Sequence, residues 1–80
     1  MVQRTDATQR MNREEMGEYL QRLGEQMADE GPISVPVANR RVQLHPAEAI
    51  SCDIEVVERS TLLRGDRETI SLEISWKPQG

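Results

Sequence analysis

Two stretches of the chain alternate strictly between apolar and polar residues. In the first, Ile50, Cys52, Ile54 and Val56 are separated by Ser51, Asp53 and Glu55. In the second, Ile70, Leu72, Ile74 and Trp76 are separated by Ser71, Glu73 and Ser75. A period of two places every apolar side chain on one face of an extended strand and every polar one on the other. Each stretch therefore reads as a half-buried antiparallel strand with one wet face. The chain has 80 residues, enough for one small domain with a thin core. With no phenylalanine, and with Tyr19 and Trp76 as the only aromatics, that core is aliphatic.

Upstream of these strands the period is helical. Met16, Tyr19, Leu20, Leu23 and Met27 follow one stripe at i, i+3, i+4, i+7 and i+11. Asn12 is a good N-cap, and Glu15 stands at capping-box spacing. Gly31 and Pro32 end the run, so the spacing predicts a helix over about 13–29. After Pro32 the period changes to two. Ile33, Val35 and Val37 form a first short strand, and Val42 and Leu44 a second. A hairpin centred on Asn39-Arg40, or a four-residue turn in the same register, sets Val37 opposite Val42 and Val35 opposite Leu44. Pro36 cannot donate to a ladder and marks the first strand as an edge. His45-Pro46 ends the second strand.

Two closures compete for the last hairpin. A tight turn at Arg64-Gly65-Asp66-Arg67 sets Val56 against Ile74. A longer loop over roughly 58–68 sets Val56 against Ile70, Ile54 against Leu72 and Cys52 against Ile74. The second matches apolar with apolar throughout and is preferred. It leaves Leu62 and Leu63 in the loop, in need of cover.

The expected architecture is a two-layer α+β domain. One N-terminal helix packs on a four-stranded antiparallel meander sheet in the order α-β-β-β-β. It occupies residues 12–77, between a disordered arm at 1–11 and a flexible tail at 78–80. One helix covers four strands incompletely, which points to a homodimer.

This pattern resembles the amphi-Trp domain family, small prokaryotic proteins named for a C-terminal amphipathic strand closing on Trp. The likeness rests on Asn12-Arg13-Glu14-Glu15 opening a single helix that ends before a Gly. A short hairpin and a proline break come next, and then Ile70-Ser71-Leu72-Glu73-Ile74-Ser75-Trp76. Its most specific element is LEISW at 72–76, and it spans residues 12 to 76. The stretch from Arg59 to Arg67 is longer than the family's usual last hairpin. The resemblance implies a small soluble domain. It carries no catalytic residue or cofactor over to this chain.

The residues themselves mark no chemistry. His45 is the only histidine and Cys52 the only cysteine, without the spacing of a metal site, so no metal or cofactor is expected. Cys52 reads as a small buried hydrophobe, and a lone thiol fits a reducing cytoplasm. The five glycines do not cluster into a phosphate loop. No run is apolar enough to span a membrane, and the first residues lack the apolar core of a secretory signal. The net charge of -4 argues against bulk nucleic-acid binding.

The expectation is a non-catalytic module that works through self-association or protein binding. The alternative is a nucleic-acid-associated protein using its arginines (Arg4, Arg10, Arg13, Arg40, Arg41, Arg59, Arg64, Arg67). The interface candidates are Trp76, Leu62 and Leu63. Trp76 shares the parity of Ile70, Leu72 and Ile74, which favours a core position over an interface one.

Overall fold

The helix begins where the cap predicts. Asn12 adopts an extended conformation, and its side-chain oxygen accepts a hydrogen bond from the Glu15 N–H at 2.8 Å. In the computed structural model, which describes residues 2–78, helix α1 spans Arg13–Ala28. Glu14 and Glu15 lie in its first turn, where the helix dipole favours negative charge. The Asp29 N–H bonds back to the Glu25 and Gln26 carbonyls, and Gly31, at φ +98°, turns the chain away. Before the helix, residues 2–10 are exposed and carry no helix or strand. Met1 of the expected arm, and the expected tail apart from Pro78, lie outside the described residues.

Four strands follow among the described residues: β1 Ile33–Val37, β2 Arg40–Leu44, β3 Ser51–Thr61 and β4 Gly65–Ser75. They form two separate two-stranded antiparallel sheets, β1-β2 and β3-β4. The α+β class and the strand order hold, whereas the single four-stranded meander does not form. Alternation fixes which face of a strand is apolar. It does not say which strands pair across a link, and the link after Leu44 contains Pro46, which has no N–H to extend a ladder. The chain divides into two compact units, the first made of the residues up to Pro46 together with Pro78 and the second spanning Ala47–Lys77.

In the first unit α1 packs on β1. The Gln26 side chain makes two hydrogen bonds to one residue of the strand. Its Nε2 donates to the Ser34 carbonyl at 3.0 Å, and its Oε1 accepts from the Ser34 N–H at 2.8 Å. A side-chain amide thus satisfies both backbone groups that Ser34 presents to the helix. The Tyr19 hydroxyl donates to the Pro36 carbonyl at 3.1 Å. Next to the first of these anchors, Ile33, 2% exposed, is the one buried hydrophobic residue among those described. The helix stripe itself is less covered than its periodicity suggests. Tyr19, Leu23 and Met27 are half-buried, and Met16 and Leu20 are exposed.

The β1-β2 register also differs from the expected one. Val35 pairs with Val42 and Ile33 with Leu44, closed by the two-residue turn Ala38-Asn39. The displacement is two residues, so every side chain keeps its face. It brings Ile33 into the ladder and leaves Val37 opposite Arg40 at the turn. Ala38 takes φ +53°, a left-handed conformation that costs a residue with a Cβ roughly 1–2 kcal/mol.

Two substitutions in this unit have opposite expected effects. Ala38→Gly relieves the turn and raises stability by about 0.5–1 kcal/mol, read as a higher thermal midpoint. Gln26→Ala removes both bonds to Ser34 and lowers stability by about 1–2 kcal/mol in urea melts.

Candidate interaction surface

The second unit is one long hairpin. β3 and β4 pair over eleven residues, from Ser51↔Ser75 to Thr61↔Gly65. The pairs Cys52↔Ile74, Ile54↔Leu72 and Val56↔Ile70 are those expected from matching apolar residues. The expected loop over 58–68 is instead mostly strand. Val57↔Thr69, Glu58↔Glu68, Arg59↔Arg67 and Ser60↔Asp66 continue the ladder to a turn at Leu62-Leu63-Arg64. Polar side chains hold that end. The Thr61 hydroxyl donates to the Gly65 carbonyl at 3.1 Å and accepts from the Arg64 N–H at 3.0 Å. The Ser60 hydroxyl donates to Asp66 Oδ1 at 2.8 Å. Gly65, at φ +77°, supplies the left-handed residue that a three-residue hairpin loop requires.

One face of the hairpin carries Cys52, Ile54 and Val56 beside Ile70, Leu72 and Ile74. It is apolar and largely uncovered: Ile54 is 68% exposed, Val56 63%, Ile70 77% and Leu72 50%. Cys52, expected to be buried, is an exposed free thiol because it lies on this same uncovered face. Contiguous apolar surface of this kind marks an interaction site more often than scattered exposed residues do.

Charge distinguishes the surface further. Three cross-strand pairs set like charges directly opposite each other: Asp53↔Glu73 and Arg59↔Arg67 on the polar face, and Glu58↔Glu68 beyond the apolar patch on the other. Such pairs weaken a hairpin.

The three residues expected at an interface do not form one site. Leu62 and Leu63 sit fully exposed at the turn. Trp76 comes directly after the last residue of β4 at the opposite end, half-buried in a shallow depression with Ala47, Ala49 and Lys77. An eleven-residue strand, about 35 Å, separates them. The like-charged pairs at 58↔68 and 59↔67 escape a reading of hydrophobic pattern because alternation fades after Val56. Extending the Val56↔Ile70 register outward through Val57 and Thr69 would have found them.

Elsewhere, a cleft of about 280 Å³ lies between α1 and the first hairpin, lined by Glu15, Glu18, Tyr19, Arg22, Pro36 and Arg41 among others. His45 is exposed. Among the described residues no group of three or more His, Cys, Asp and Glu side chains stands close enough to hold a metal ion. No helix of the described residues is long and apolar enough to cross a membrane.

The family model of the Amphi-Trp domain matches residues 2–80. The chain belongs to the Amphi-Trp domain family. Comparison with curated proteins and with solved structures gives no match. In this Amphi-Trp domain the amphipathic segment Ile70–Trp76 is the second half of β4 together with the tryptophan next to it. The apolar side of that segment belongs to the uncovered face of the hairpin.

Converting one like-charged pair to an opposite pair tests the hairpin register. Glu58→Lys places a cation opposite Glu68 and raises stability by about 0.2–1 kcal/mol in thermal or urea melts at low salt.

Proposed function

We propose that this Amphi-Trp domain is a non-catalytic self-association module and that the β3-β4 hairpin is the element through which two copies meet. The observation that carries this reading is the exposed apolar face formed by Ile54, Val56, Ile70 and Leu72. A two-stranded hairpin is marginal on its own in water, and gains stability from added strands or from cover on its apolar face. A second copy supplies either. Cytoplasmic residence accords with the free, exposed Cys52, which a reducing compartment keeps as a thiol. The acidic balance of the chain, and the glutamates that flank Arg59 and Arg67 along the hairpin, weigh against the nucleic-acid reading.

Sedimentation equilibrium tests the proposal. The wild-type chain sediments at about twice its 9.1 kDa mass at high micromolar concentration. Ile70→Glu places a charge at the centre of the exposed face, where water solvates it in a single copy and the same charge on a second copy repels it. That variant keeps its circular dichroism and sediments as a monomer. A wild-type chain that stays at 9.1 kDa under these conditions contradicts the reading.

A further inference from the structure

We infer that two copies associate edge to edge through β4, antiparallel, with Ile70 facing Ile70 of the second copy, and that charge fixes this register. The inference rests on the self-association reading and adds its geometry.

Among the described residues β3 and β4 pair only with each other, so β4 has an open edge along its whole length. From Gly65 to Ser75 that edge contains no proline and no lysine, the residues that commonly block pairing with another chain. Its eleven residues are long enough to accept a full partner strand.

The like-charged pairs select the register along that edge. Asp53↔Glu73 and Arg59↔Arg67 lie on the same face, three positions either side of the Val56↔Ile70 pair. A two-fold axis through Ile70, perpendicular to the sheet, exchanges the acidic pair of one copy with the basic pair of the other. Across the new ladder Glu73 then stands opposite Arg67 of the second copy, and Arg67 opposite its Glu73. Each row across the four strands reads acid, acid, base, base. Of the antiparallel registers that overlap most of β4 and keep the two faces distinct, this one alone sets opposite charges across the junction. Centring on Leu72 instead opposes Arg67 to Lys77, and centring on Ser71 or Thr69 pairs no charges. On the other face Ile70 meets its own copy, and the methylene stem of Glu68 lies along Leu72.

The charges allow a test in which folding and association move in opposite directions. Arg67→Glu gives Arg59 an opposite charge within its own hairpin, and Glu73→Arg does the same for Asp53. Each single variant is therefore more stable as one chain, yet meets its own copy with like charges at two positions. By sedimentation at low ionic strength, each variant alone dimerises at least about tenfold more weakly than wild type, and an equimolar mixture of the two recovers the wild-type affinity as a heterodimer. In a Cys52→Ser background, Ile70→Cys forms an interchain disulfide on mild oxidation, because a residue on the axis lies about 4.5–5.5 Å in Cβ separation from its own copy. Leu72→Cys, off the axis, does not.

A wild-type monomer overturns both the self-association reading and this geometry. A wild-type dimer whose charge variants associate as it does, alone and mixed, and whose Ile70→Cys variant stays uncrosslinked, overturns the edge pairing and leaves self-association standing.

Discussion

The ladder pair Val56↔Ile70 is the constraint on which the second half of this structure depends. Once it is made, the period-two pattern carries Cys52, Ile54, Leu72 and Ile74 to the same face and Asp53, Glu55, Ser71 and Glu73 to the other. A slip of one residue would turn the apolar set onto the polar side. The same pair sets the rest of the ladder toward the turn: Glu58 must meet Glu68 and Arg59 must meet Arg67. A register chosen by aliphatic contacts thus imposes an unfavourable arrangement of charge. Ion pairs on exposed strands are worth only about 0.2–1 kcal/mol each, so the apolar match decides the register and the charges remain to be met from outside.

The first unit solves its packing with polar contacts rather than a large core. Ile33 is its one buried hydrophobic side chain among the described residues, and Gln26 and Tyr19 bind the helix to the backbone of β1. This matches a chain with two aromatics and no phenylalanine. The hydroxyl of one of those aromatics serves as a hydrogen-bond donor to Pro36, while the other closes the amphipathic segment after β4.

Much of this was legible from sequence, because each element carries a local signature. The cap at Asn12, the stripe from Met16 to Met27 and the four alternating runs locate α1 and all four strands. The aliphatic match Val56, Ile54 and Cys52 against Ile70, Leu72 and Ile74 gives the correct register of the long hairpin. Two features besides the register of the first hairpin were not legible. Strand pairing across His45-Pro46 has no local signature, so sequence order alone suggested one sheet where there are two. Residues 58–61 and 65–69 are polar on both faces, and a strand that buries neither face resembles a loop in any hydrophobic pattern. Leu62 and Leu63 are apolar residues without cover, whereas the charged pairs beside them say more about a partner.

Edge pairing through β4 can be read at individual amides, by hydrogen exchange of the wild-type chain across a wide range of protein concentration. Amides of β4 that point away from β3 are open to water in a single copy and bonded in an edge-paired dimer. Their exchange is expected to slow as concentration rises, while the amides of β1 and β2 keep the same rates. Exchange along β4 that is independent of concentration would contradict the pairing.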